Sequence, residues 1–161
     1  MYRVIASLIA FFSMDIKEVT QIIEYAIEQF KCNDAELISL NVSERAVMFH
    51  IARYMRERTP EEFHVDCEYN RHLADIKQLH YLKKSLEVAK IHDVYPDILI
   101  HKRNDDYNNQ LVVEVKKIGI ETDSDKRKLQ AFKSAPYNYC FAVQIIISEV
   151  NNEPVVEYKF I

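Results

Sequence analysis

The sequence predicts an α/β domain in which one mixed β-sheet is flanked by helices. Two observations carry this. Apolar residues recur at helical spacing over about 15–30 and 43–58, whereas strand-length apolar or alternating segments follow at 63–70, 96–102, 110–117, 140–148 and 154–160. A further helix-patterned segment at 123–133 separates two of those strands. Helices interspersed with strands bury their apolar stripes best on the faces of a single sheet. The 161 residues suffice for one domain with a substantial core and show no linker, repeat or low-complexity tract.

The chain opens on VIASLIAFF, Val4 to Phe12, behind Arg3. This run is too short to span a bilayer, and Phe12-Ser13-Met14 offers no small-residue cleavage site, so no membrane association is expected. It reads as a short strand or helix packed on the core, or as sequence upstream of a working start at Met14. Asp15 can cap a helix to about Phe30, with Ile16, Val19, Ile22, Ile23, Ala26, Ile27 and Phe30 on its apolar face. Ser43 can cap a second helix to about Arg58, which ends before Pro60. FHVDCEYN, 63–70, alternates as a half-buried strand, with Val65, Cys67 and Tyr69 on one side and His64, Asp66 and Glu68 on the other.

From Leu73 to about Lys90 the pattern is helical but weakly capped. Strands follow at 96–102 and 110–117. Their connecting turn, Arg103 to Asn109, uses Asn and Asp, which tolerate positive φ. Asp123 or Ser124 can start a helix through Lys133, and Pro136 punctuates its end. CFAVQIIIS, 140–148, has the composition of a buried strand, and PVVEYKF, 154–160, forms a last strand after an Asn151-Asn152 turn.

Composition excludes several function classes. A net charge of −4 and a pI of about 5.9 give no global basic field, so nucleic-acid binding would need a local patch. Cys32, Cys67 and Cys140 form no CxxC pair, which argues against a disulfide framework or zinc knuckle and fits a reducing, cytoplasmic setting. Gly119 is the one glycine. Phosphate-cradling loops and nucleophile elbows need several, so dinucleotide enzymes, P-loop NTPases, kinases and typical α/β-hydrolases are not expected.

Against that background, YPDILIHKRNDDYNNQLVVEVKK (95–117) sets Asp97 at the mouth of one strand and Glu114 and Lys116 inside the next. Side chains alternate across a strand, so Glu114 and Lys116 share a face with Cα atoms about 6.7 Å apart. Asp97 joins them for any hairpin register that pairs it with Glu114 or Lys116, and a one-residue slip sends it to the other face. Two carboxylates at one site repel unless a cation lies between them. Hard oxygen donors without His or Cys suit Mg2+ or Mn2+. A carboxylate-held Mg2+ favours phosphate substrates, because it polarises the phosphoryl oxygen and activates water. A lysine beside it can orient that water or offset charge in the transition state.

Pro96-Asp97, a strand turn, and then Glu114-Val115-Lys116 resembles the motif of the PD-(D/E)XK, or restriction-endonuclease-like, nuclease superfamily. VDCEYNR (65–71), YPDILIHKR and VVEVKK together look like a group of small bacterial members. The resemblance covers about 43–148 and implies an αβββαβ core, preceded here by a helical extension over 1–42, within one nuclease-like domain spanning 1–161. It implies that Asp97, Glu114 and the Val115 carbonyl ligate Mg2+, with Mn2+ as a substitute. Lys116 would be the catalytic lysine, and Glu44 a further catalytic acid from the first core helix. Glu44 would equally serve as a favourable acid in a helix's first turn.

Asp66 and Glu68 can approach such a metal from the preceding strand, and Asp125 begins the helix after the motif strand. Arg71, Lys117, Lys126 and Lys128, with Arg127, are the candidates for contacting nucleic acid. The six histidines show no HxH or HxxxH pairing and read as structural or exposed. The expected function is a Mg2+-dependent nuclease hydrolysing DNA phosphodiester bonds, with a homodimer compatible with cutting both strands. The alternative is a catalytically silent nuclease-fold module that binds nucleic acid or protein in a defence or repair assembly.

Overall fold

The computed structural model describes residues 13–69, 95–105, 107–117 and 124–161 with their side chains, and the backbone of 71–72, 75–76, 78–81, 90–93 and 123. The apolar run 4–12 and the side chain of Arg71 therefore lie outside the described residues.

Helix α1 (Ile16–Asn33) starts on a capping box. The Asp15 carboxylate accepts from Glu18 N, and the Glu18 carboxylate accepts from Asp15 N, each at 2.8 Å. A one-turn helix α2 (Glu36–Ser39), which the sequence pattern does not signal, leads into α3 (Glu44–Arg58), whose Ser43 hydroxyl accepts from Ala46 N. At its far end Arg56 donates to the carbonyls of Thr59 and Phe63, groups the helix cannot itself satisfy.

Strand β1 (His64–Cys67) is followed by two small antiparallel hairpins, β2 (Arg71–His72) with β3 (Asp75–Ile76) and β4 (Gln78–Tyr81) with β5 (Lys90–Asp93). The helix expected over 73–90 is thus replaced by strand at 75–76, at 78–81 and at Lys90, while 82–89 lie outside the described residues. A weakly capped helix would have left its first-turn N–H groups open, whereas the β4–β5 ladder pairs the backbone directly.

The remaining elements are β6 (Ile98–His101), β7 (Leu111–Lys117), α4 (Asp123–Lys133), β8 (Phe141–Val150) and β9 (Glu153–Phe160). They complete a five-stranded mixed sheet of order β1-β6-β7-β8-β9. Every neighbouring pair is antiparallel except β7 and β8, which run parallel and are connected through α4. Parallel neighbours require such a crossover. Asn151 and Asn152, both at positive φ (53° and 63°), make the two-residue turn between β8 and β9. A type I′ turn demands that conformation at both central residues, and asparagine supplies it in a chain almost without glycine.

Both faces of the sheet are covered. Ile98, Ile100, Val113, Val115, Val143 and Ile145 pack against α1 and α3 in the larger core. Leu99, Val112 and Ala142, one residue out of phase, pack with Leu129 and Phe132 of α4 in a smaller one. The central strands are consequently apolar on both sides, and all four residues of β6 are buried. Among the described residues no helix is long and apolar enough to cross a membrane.

Candidate active site at the end of strands β6 and β7

The β6–β7 register pairs Ile98 with Val113 and Leu99 with Val112. Continued by one residue, it sets Asp97 opposite Glu114. Because Val113 and Val115 point into the α1/α3 core, Glu114 and Lys116 point to the α4 side, as do Leu99 and Val112. The parity on which the sequence argument depends is therefore the observed one, and Asp97, Glu114 and Lys116 share the α4 face.

The end of β6 explains what Asp97 and Glu44 do in the fold. Strand β6 begins at Ile98 while β7 runs on to Lys117, so among the described residues the last N–H groups of β7 on that side have no strand opposite them. Asp97 Oδ2 accepts from Val115 N at 2.7 Å, and Glu44 Oε1 accepts from Lys117 N at 3.0 Å. Two carboxylates thus complete the sheet edge where β6 stops. A strand residue directs its N–H and C=O to the same neighbour, so the Val115 carbonyl faces the same gap. Glu44 is delivered there by the first turn of α3, which Ser43 caps.

Glu114 is only 2% exposed. Lys128 of α4 places its Nζ 2.7 Å from Glu114 Oε1 and 3.4 Å from the Tyr95 carbonyl. The two form a close ion pair, although among the described residues Oε1 receives no well-angled hydrogen bond. Burial pushes the Glu114 acid from 4.5 up to about 7, with Lys128 pulling it back and Asp97 raising it further. Asp97 is also raised, chiefly by burial; the Val115 N–H, Lys128 and Lys116 work against the shift and Glu44 adds to it. For Lys116, burial acts to lower the ammonium pKa, but Asp125, Glu114, Glu44 and Asp97 together outweigh it and raise the value. Asp125 Oδ1 is the nearest of these acids, 3.7 Å from Lys116 Nζ. Five charged groups from α3, β6, β7 and α4 therefore act on Lys116 or on one another within a single electrostatic cluster.

The cluster fits a hard cation. Its donors are carboxylates and a backbone carbonyl, and a buried Glu114 oxygen lacks a directed partner among the described residues. Among the described residues no three His, Cys, Asp or Glu side chains converge closely enough to cage an ion alone. Mg2+ does not require such a cage, since it usually keeps several waters and is held by one or two carboxylates.

Other sequence candidates are placed differently. Asp66 accepts from Arg103 and lies 2.9 Å from His101 Nε2. Burial acts to raise its carboxyl, but Arg103 and His101 hold it far below the ordinary range. It is held toward β6 rather than the Asp97 edge. Glu68, at φ 49°, sends its carboxylate 2.9 Å from Arg45 Nε. Lys117 Nζ is engaged by Asn41 Oδ1 and the Val42 carbonyl, at 2.7 and 2.6 Å, so its amine ties β7 to the start of α3. Lys126 and Arg127 lie half-buried on α4.

Sequence reasoning does not single out Gln144. It is fully buried in β8, it pairs in register with Glu114, and by alternation it faces α4 like Ala142. Among the described residues neither its Nε2 nor its Oε1 has a hydrogen-bond partner. The signal in the sequence is one amide within the apolar run FAVQIII.

Comparisons with protein-family models, with curated proteins and with solved structures found no match to this chain.

Proposed function

We propose that the chain is a cytoplasmic, Mg2+-dependent nuclease of the restriction-endonuclease-like type, which hydrolyses phosphodiester bonds of DNA. The observation that carries the reading is the convergence of Asp97, Glu114 and Lys116 on one face at the end of β6 and β7, with Glu44 on the same edge. The topology supports it: α3, β1, β6, β7, α4 and β8 follow an αβββαβ order, with three antiparallel strands and a parallel fourth beyond a helix. Burial of Glu114 supports it as well, because an ionised carboxylate in an apolar site is costly and a purely structural position has no need of one.

Asp97, Glu114 and the Val115 carbonyl would hold the ion. Bound there, Mg2+ supplies a water of lowered pKa and a positive charge against the phosphoryl oxygens. The chain's own contribution is positional. Lys116 stays cationic at neutral pH because the surrounding acids raise its pKa, so it is a fixed positive charge for the pentavalent transition state. Glu44 is tethered by one oxygen to Lys117 N and adds a further acid at the same edge, suited to orienting water. Lys126 and Lys128 of α4, with Arg71, are the candidates for holding the DNA backbone beside this face. Cutting both strands would call for two such sites, as in a homodimer.

The test is cleavage of linear, nicked and branched DNA by the purified protein in Mg2+ and in chelator. Glu114→Ala and Lys116→Ala should each reduce the rate by roughly 10²–10³-fold. Cleavage that survives both substitutions would overturn the assignment.

A second reading is a nuclease-fold binding module without turnover, acting in a defence or repair assembly. It is favoured by one observation: Lys128 already neutralises Glu114. Titration calorimetry separates the two readings, since the silent module would retain DNA or protein binding without taking up Mn2+ or Mg2+.

A further inference from the structure

We propose that Gln144 is a positioning residue of the metal site, which holds the Glu114 carboxylate once a cation has drawn it from Lys128. The inference rests on the nuclease reading and extends it to a residue outside the motif. Buried side-chain amides are hydrogen-bonded in nearly all folds, yet both polar atoms of Gln144 are sealed from solvent and without a partner among the described residues. Strand β8 is otherwise apolar at its centre, from Ala142 through Ile147, so packing alone would accept Leu or Met at 144.

Its location gives the amide a purpose. Gln144 is the register partner of Glu114 on the neighbouring strand, on the same face. Adjacent strands lie about 4.8 Å apart and the terminal torsions of both side chains are soft, so the amide is within rotational reach of the carboxylate. Among the described residues, the close partner of the Glu114 carboxylate is Lys128, through Oε1. A cation arriving at Glu114 repels the Lys128 ammonium, and the carboxylate then needs a donor that carries no charge. Lys116 is turned to Asp125. The Gln144 Nε2–H group is neutral, adjacent and unspent, and Oε1 of the same amide can accept from a water on the ion. Such outer hydrogen bonds fix the orientation of liganding carboxylates.

The test compares wild type, Gln144→Met and Gln144→Leu in two measurements: Mn2+ affinity by titration calorimetry, and the thermal midpoint of the metal-free protein. Both variants should bind Mn2+ about 10–100-fold more weakly. Their metal-free midpoints should equal or exceed that of wild type, because no hydrogen bond is lost in that state. Unchanged Mn2+ affinity in both variants, with wild type binding normally, would overturn the role of Gln144 and leave the nuclease reading intact. A lowered midpoint in both would show that the amide is partnered without metal, and would also overturn it. Wild type that binds no Mn2+ would refute the metal site itself and this inference with it.

Discussion

Replacing Glu114 with Gln is expected to stabilise the metal-free protein at pH 8. The carboxylate is 2% exposed, and its pKa rises from 4.5 in the unfolded chain to about 7 in the fold. Between these values the unfolded chain has released a proton that the folded chain retains, so stability falls as pH rises through this window. At about 1.4 kcal/mol per pKa unit, the accumulated cost above pH 7 is about 3 kcal/mol. The near-isosteric amide carries no such dependence. Chemical unfolding of both proteins in chelator should therefore show similar stability near pH 4.5 and a gap of about 3 kcal/mol in favour of Glu114→Gln at pH 8. In a chain of this length that gap corresponds to a thermal midpoint higher by about 6–12 °C. Using the difference between two proteins removes titrating groups that do not interact with Glu114, such as Asp66, whose lowered pKa acts in the opposite direction. Saturating Mn2+ should restore wild type by about 2.7 kcal/mol at one hundred times its dissociation constant and leave the variant unmoved. A variant less stable than wild type at pH 8 would mean that the Glu114–Lys128 pair holds the fold together. The burial of Glu114 would then need no functional explanation.

Asp97 separates shape from charge: Asp97→Asn keeps an oxygen for Val115 N and should cost less than about 1 kcal/mol, whereas Asp97→Ala leaves that N–H open and should cost about 1–3 kcal/mol in urea unfolding. Both should lose Mn2+ binding in calorimetry. Asp66→Asn should lose about 1.5–3 kcal/mol at pH 7, because Asp66 receives charge-assisted hydrogen bonds from Arg103. Its lowered pKa places that stabilisation above the ordinary carboxylate value, so the difference from wild type should shrink as an unfolding series is taken below about pH 4. Gln110 is buried, with Oε1 accepting from Met14 N at 2.8 Å, and Gln110→Ala should cost about 1–3 kcal/mol with faster amide exchange at Met14.

The local elements were legible because each carries its own chemistry. Asp15 and Ser43 start helices by accepting first-turn N–H groups, and Pro60 follows the end of the second. The apolar run opening 111–117 and the turn residues Asn151 and Asn152 set that strand and the last hairpin. Periodicity failed at 75–76, 78–81 and Lys90, where the spacing of a few apolar residues among polar ones suggested a helix and the chain is extended instead. At 78–81 and Lys90 the strand pairing between the two segments, remote information for either one, settled the backbone.

By itself, the sequence determined that Glu114 and Lys116 share a face, since alternation along one strand is local geometry. It also placed Asp97 near them, provided the hairpin kept its parity. Only the tertiary structure decided that parity. It alone brought Glu44 from α3 onto the open edge of β7, set Lys128 against Glu114, and turned Asp66, Glu68 and Lys117 toward other partners. It likewise placed Gln144 beside Glu114, thirty residues away in the chain and one strand away in the sheet. The physical reason is the same in each case. Which side chains a residue meets across strands and helices depends on register and packing between distant segments, and no local pattern of apolar and polar residues encodes that distance.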